Sequence, residues 1–134
     1  MITLCRYYWR IEPGVNFTCN LHFDPFQFMA QHRKRYAFVI TFEEIADTIP
    51  TLWDTTLAFA KEHQLHGQLD WLSNTHGRYN LCHYWSNFEI ADLDFFRSEE
   101  YLAYFNHLDQ AGGFFCALLP CLTSLLPLSE VFAN

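Results

Sequence analysis

Residues 37–63 read AFVITFEEIADTIPTLWDTTLAFAKEH and place a strand pattern directly before a helix pattern. The first part, residues 37–42, is a continuous run of β-branched and aromatic side chains, which predicts a strand in the interior of a sheet. Thr48 and Pro50 then mark the start of a helix, because the fixed φ of proline suits the first helical turn. We expect this helix to end near His63.

Helical spacing recurs in two places along the chain. The apolar face predicted for the first helix consists of Leu52, Trp53, Leu57 and Ala60. A second helix should begin after Ser98, whose side chain is a favourable N-cap, and should end at Gly112 and Gly113. Its predicted buried stripe consists of Tyr101, Tyr104, Phe105 and Leu108. Strands that alternate with helices predict the α/β class.

Residues 7–15 show the alternation of a half-buried strand. Tyr8, Arg10 and Glu12 fall on one face, and the pair Pro13-Gly14 ends the pattern with a turn. Arg10 and Glu12 therefore stand at the end of a strand, where α/β proteins commonly bind ligands.

Length and charge limit what the chain can be. A chain of 134 residues fits one modest domain, and 51% hydrophobic residues with 19% aromatic residues are enough to build a core. The formal net charge of -7 repels phosphate backbones, so we expect no nucleic-acid partner. No apolar run reaches the roughly 20 residues of a membrane-spanning helix.

The densest group of chemically useful side chains lies in residues 79–94, YNLCHYWSNFEIADLD. A carboxylate such as Glu89 beside tryptophan and asparagine is typical of a carbohydrate site, because aromatic faces pack on sugar C–H groups and amides bridge hydroxyls. The alternative is that Trp85 and Phe88 belong to the core while Glu89 and Asp92 are solvated.

Two other groups could bind a metal. Glu12 could hold Mg²⁺ or Mn²⁺, which prefer carboxylate oxygen, but it could equally form an ion pair with Arg10. His63 and His66 are three residues apart, a spacing that can chelate on a helix. No partner stands at a matching distance, so we interpret the two histidines as an exposed helix end.

The chain resembles the fungal glycolipid 2-alpha-mannosyltransferase family. The segments that carry the resemblance are YYWRIEPGV, DPFQFM, TIPTLW, YNLCHYWSNFEIADLDFFRSE and YFNHLDQAGGFF. The resemblance implies part of a GT-A type α/β fold with a mixed sheet and flanking helices. It also implies a retaining, Mn²⁺-dependent transfer of mannose from GDP-mannose to mannose acceptors on glycoproteins or glycolipids.

The resemblance also implies roles for individual residues. Glu12, in the Glu-Pro-Gly sequence, stands at the family's metal ligand, and we expect Arg10 beside it to help bind the metal–nucleotide complex. Glu89, in WSNFE, stands at the proposed nucleophile, which either forms a glycosyl-enzyme or stabilises an oxocarbenium-like state. Trp85 and Asn87 would line the sugar pocket.

The chain departs from the family pattern at its C-terminal end. We expect residues 1–115 to be a fragment of the catalytic domain and residues 116–134 to be an apolar tail foreign to it, because the family's Tyr-Glu-Arg-Trp-Gly-Asp block and the histidine that completes the metal site are missing. Relatives are anchored on the lumenal side of the Golgi membrane, and the anchor is not in these residues. We predict that this polypeptide alone is inactive or nearly so; the alternatives are a catalytically dead sugar- or nucleotide-binding remnant and a non-functional truncated product.

Overall fold

The computed structural model describes residues 5–65 and 69–112. Its elements, in chain order, are β1 (Tyr7–Ile11), α1 (Pro25–Gln31), β2 (Tyr36–Phe38), β3 (Thr41–Glu43), α2 (Leu52–Glu62), β4 (Cys82–Tyr84), β5 (Phe88–Asp92), α3 (Leu93–Phe96) and α4 (Glu99–Gln110), with single 3-10 turns at Ala46–Thr48 and Asp70–Leu72. His66, Gly113 and the predicted tail 116–134 lie outside the described residues.

Two small antiparallel sheets form the β part of the described residues. In the larger sheet β5 is central and pairs with β1 on one side and β2 on the other. In the smaller sheet β3 pairs with β4. Strands and helices alternate as predicted, which confirms the α/β class.

The strand predicted at residues 37–42 is not continuous. It is divided between β2 and β3, which belong to different sheets, and Val39 and Ile40 form the link between them. The prediction of a buried sheet interior is also wrong for these residues, because the Val39 and Ile40 side chains are each 51% exposed and Phe38 is 44% exposed. A continuous apolar run therefore marks a change of sheet here.

The apolar core lies between α2, α3 and α4. Its buried members are Ile49, Leu52, Phe59, Ala60, Leu69, Leu72, Phe95, Tyr101, Tyr104 and Leu108. Helix α2 ends one residue before His63, as predicted, and begins at Leu52, slightly later than Pro50 suggests. The predicted apolar face is wrong at Leu57, which is 40% exposed, because the helix instead buries Thr56 and Phe59.

Helix α4 follows its sequence signals closely. The Ser98 hydroxyl accepts a hydrogen bond from the Tyr101 backbone N–H, which confirms the N-cap. Gly112 adopts a φ of +74°, a left-handed conformation that glycine adopts without strain and that ends helices. No helix within residues 5–65 and 69–112 has the length and apolar character needed to cross a membrane.

Candidate active site

The register of the larger sheet brings the predicted site residues together. Arg10 of β1 lies opposite Glu89 of β5, and Phe38 of β2 lies opposite Glu89 on the other side. The antiparallel pairing continues beyond β1, where the Glu12 backbone N–H donates to the Asn87 carbonyl oxygen at 3.0 Å. Glu12 and Glu89 therefore lie at one end of the same strand pair, although they are 77 residues apart in the sequence.

Glu89 is buried, with only 5% of its surface exposed, and two phenols satisfy its carboxylate. The Tyr8 hydroxyl donates to Glu89 Oε1 at 2.7 Å, and the Tyr36 hydroxyl donates to Glu89 Oε2. Burial of Tyr8 and Tyr36 raises the pKa of each phenol, and the hydrogen bond and negative charge of Glu89 raise it further. Both phenols are therefore protonated donors at neutral pH.

Sequence reasoning missed the roles of Tyr8 and Tyr36. The alternation of β1 placed Tyr8 on the same face as Arg10, but it could not show that this face meets Glu89. Tyr101 of α4 covers the same region, and its pKa is raised to about 12 by burial and then by the charge of Glu89. The Tyr101 hydroxyl is buried without a hydrogen-bond partner among the described residues.

The alternative of solvated carboxylates in this segment is wrong. Asp92 is also 5% exposed, and its carboxylate accepts from the Arg6 guanidinium at 3.2 Å. The other Asp92 oxygen accepts from the Asp94 backbone N–H at 2.9 Å and so caps α3. Asp92 therefore fixes the end of β5, three residues after Glu89, and has a structural role.

Glu12 is partly exposed at the edge of the site and is paired with Arg10. Its Oε1 accepts from Arg10 Nε at 2.9 Å and from Arg10 Nη2 at 2.5 Å. The ion pair that the sequence left open is thus present. It does not exclude a ligand role, because the pair is solvent-accessible and can rearrange when an anion or cation binds.

A shallow, open cleft of about 590 Å³ adjoins this strand end. It is lined by Glu12, Pro13, Gly14, Val15, Asn16, Val39, Trp85, Asn87 and Phe88. Three of the predicted site residues, Glu12, Trp85 and Asn87, therefore share one cavity. Glu89 does not line this cleft; its buried carboxylate contacts Tyr8 and Tyr36 instead.

The described residues offer only part of a metal centre. Within residues 5–65 and 69–112, no three His, Cys, Asp or Glu side chains cluster closely enough to hold an ion. Glu12 supplies one accessible carboxylate. That is sufficient for a divalent ion bound to a nucleotide diphosphate, because such ions take one or two carboxylates and fill their other positions with phosphate oxygens and water.

His63 behaves as its sequence context indicates. Its ring stacks on Phe59 with centroids 3.9 Å apart, and its Nδ1 lies 3.1 Å from the Phe59 carbonyl oxygen. The ring is thus part of the helix end, and its predicted partner His66 lies outside the described residues.

The chain is similar to solved structures of a core-mannan synthase and a mannosyltransferase. Core-mannan synthase A from Aspergillus fumigatus, in a Mn/GDP form, matches with a TM-score of 0.83 and 41% identity over 92% of this chain and 37% of that one. The mannosyltransferase Ktr4p from S. cerevisiae in complex with GDP matches with a TM-score of 0.83 and 39% identity over 92% of this chain and 34% of that one.

The sequence comparisons identify the family. The sequence model described as Glycolipid 2-alpha-mannosyltransferase matches residues 2–117, and the chain belongs to that family. It is 52% identical to the O-glycoside alpha-1,2-mannosyltransferase omh1 of Schizosaccharomyces pombe over 82% of this chain and 30% of that protein. It is 50% identical to the alpha-1,2 mannosyltransferase KTR1 of Saccharomyces cerevisiae over 81% of this chain and 29% of that protein. The chain thus spans about 30% of the length of these curated relatives.

Proposed function

We propose that this chain carries part of the active site of an enzyme that transfers mannose from GDP-mannose to a mannose hydroxyl of a glycoprotein or glycolipid, in α-1,2 linkage. The observation that carries the proposal is the register of β1 and β5, which brings Glu12, Asn87 and Glu89 to one strand end. The names of the relatives and the GDP in the related structures support the donor and the sugar.

Each side chain at this strand end would have a role that suits its chemistry. Glu12 would hold Mn²⁺, with Arg10 beside it as a second contact for the diphosphate. When bound, the ion would neutralise the charge of the departing diphosphate. Trp85 and Asn87 would contact the sugar in the cleft, since an aromatic face packs on sugar C–H groups and an amide bonds its hydroxyls.

Glu89 would act on the anomeric carbon, either as a nucleophile or as a fixed negative charge beside an oxocarbenium-like state. Its burial favours a strong electrostatic effect, because charge is screened less inside a protein than in water.

The test combines transfer with binding in the purified chain. Radiolabelled GDP-mannose and methyl α-mannoside are incubated with the chain and Mn²⁺, with EDTA in a parallel reaction, and GDP binding is measured by calorimetry. We expect Mn²⁺-dependent GDP binding that Glu12→Gln weakens at least tenfold, whereas Glu62→Gln, an exposed change on α2, leaves it unchanged. Any transfer should disappear in Glu89→Gln.

The remaining outcomes separate the alternatives. GDP binding without transfer would identify a nucleotide-binding remnant, and mannose binding that needs neither GDP nor metal would identify a lectin-like module. Absence of all binding would contradict the proposal.

We further propose that the chain acts on the lumenal side of the Golgi membrane, where glycan elongation by the resembled family takes place. A tagged chain that colocalises with a Golgi marker would support this location, and a diffuse cytosolic signal would contradict it.

A further inference from the structure

The two tyrosines on Glu89 form an arrangement that the roles above do not use. Tyr8 and Tyr36 come from different strands on opposite sides of β5, yet both lie opposite the same residue, Ala91. Ala91 is fully buried and has the smallest side chain on this face. Both rings can therefore lean across it to the diagonal neighbour Glu89, which is within reach of a tyrosine in an antiparallel sheet.

The contacts divide evenly between the two carboxylate oxygens. Tyr8 donates to Oε1 and Tyr36 to Oε2, so that rotation of the carboxylate about its last torsion would break both bonds. Other rings hold the tyrosines in place: Tyr8 packs on Phe96 at 6.1 Å, and Tyr36 packs on Tyr84 at 5.3 Å. The donors are therefore themselves fixed by packing.

The hydrogen bonds to Glu89 come from neutral groups. Within the described residues no arginine or lysine is recorded in an ion pair with Glu89, and the Arg10 guanidinium, opposite Glu89 in the ladder, pairs with Glu12 instead. A buried carboxylate needs hydrogen bonds in place of water, and the two phenols supply them without adding a counter-charge. The titratable groups that face Glu89 are thus Tyr8, Tyr36, Tyr101 and Arg10.

From this geometry we propose that Tyr8 and Tyr36 are paired positioning residues that fix the orientation of the Glu89 carboxylate for mannosyl transfer. The role in transfer rests on the proposed function, but the arrangement itself does not. Each phenol restrains a different oxygen of the carboxylate, so the loss of both should cost at least as much as the two single losses combined.

The experiment compares the parent chain with Tyr8→Phe, Tyr36→Phe and the double variant. Tyr7→Phe is the matched control, because Tyr7 lies on the opposite face of β1 and its hydroxyl has no hydrogen-bond partner among the described residues. Proton NMR at neutral pH should show two slowly exchanging, downfield phenolic protons in the parent chain. Each single variant should lose one of them, and the Tyr7 control should keep both.

Transfer kinetics supply the second readout. We expect kcat to fall about tenfold in each single variant and at least about a hundredfold in the double variant, with KM for GDP-mannose changed less than about twofold, because misplacement of a reacting group lowers kcat more than binding. A lower thermal midpoint with unchanged kcat would show a merely structural role and overturn the proposal. Downfield protons that survive in the double variant would overturn it as well. If the parent chain transfers no mannose, as we expect for part of a catalytic domain, the NMR comparison alone decides whether the two phenols hold Glu89, and the GDP-binding test decides the proposed function.

Discussion

The hydroxyl pair that joins α2 to α4 permits a sharp test of how the helices hold the core. Thr56 and Tyr104 are 2% and 1% exposed, and their side-chain oxygens are 2.6 Å apart, so one hydroxyl donates to the other in a dry environment. Tyr104→Phe keeps the ring and opens no cavity. It leaves the Thr56 hydroxyl without this partner, which costs about 1–3 kcal/mol of unfolding free energy for a buried polar group.

The lower part of that range is expected for a threonine inside a helix. The Thr56 hydroxyl can turn to the carbonyl four residues earlier, as Thr55 does to the Thr51 carbonyl at 2.9 Å. We therefore expect a loss of about 1–2 kcal/mol, which lowers the thermal midpoint by roughly 4 °C per kcal/mol, the value between those of smaller and larger domains. Thr56→Val should show a loss of similar size.

The double variant Thr56→Val/Tyr104→Phe decides whether the bond itself is measured. Replacing both partners with apolar groups of the same shape is nearly neutral, so its loss should be smaller than the sum of the two single losses by at least about 0.5 kcal/mol. Urea unfolding followed by tryptophan fluorescence and circular dichroism gives these free energies. Strictly additive losses, or single losses below about 0.3 kcal/mol, would refute the reasoning.

Three other expectations follow from burial and charge. Asp92→Ala removes the cap of α3 and should lower the free energy of urea unfolding by about 1 kcal/mol. Asp94→Ala is the control, because the Asp94 side chain is 72% exposed, and it should change that free energy by less than about 0.5 kcal/mol. Equal losses in the two variants would contradict the role of the cap. The pKa of Tyr101 is about 12 when folded and 10.0 ordinarily, so its contribution to stability is complete below pH 10 and is lost as pH rises towards 12. Ultraviolet absorbance should therefore show that the Tyr101 phenol ionises above pH 10, as the chain unfolds. Ionisation of this phenol at its ordinary pKa in the folded chain would disprove this. Ile40 and Ile45 are 51% and 67% exposed, and exposed apolar side chains favour association, so we expect the parent chain to self-associate in sedimentation velocity. Ile40→Lys with Ile45→Lys should lower this association, and a parent chain that sediments as a monomer would contradict the expectation.

The helices could be predicted from the sequence because their signals are local. Ser98 and Gly112 each act within one or two turns of the residues that they order. The helical pattern of α2 likewise runs to the observed end of the helix at Glu62. The change of sheet at Val39 could not be predicted, because an apolar run reads the same whether it is buried in one sheet or links two.

The sequence indicated candidate site residues but not their arrangement, and their roles stay predictions. Glu12, Trp85 and Asn87 share a cleft, which the sequence did not show. The burial of Glu89 was not foreseen, since it depends on Tyr8, 81 residues away, and on Tyr36, 53 residues away. Pairs at such distances carry no pattern in a single sequence, because only the sheet register creates them.

That register ties the fold to the site. Strand β5 is the centre of the larger sheet, and a slip of one residue against β1 or β2 would turn Glu89 to the opposite face and bring Phe88 or Ile90 under the tyrosines. On the opposite face the Glu89 carboxylate would lose its hydrogen bonds from both phenols. An apolar side chain in its place would leave the Tyr8 and Tyr36 hydroxyls unpaired. The polar contacts that hold Glu89 therefore also oppose the wrong pairing of its strand, and a change that removes them should loosen the register as well as the candidate site.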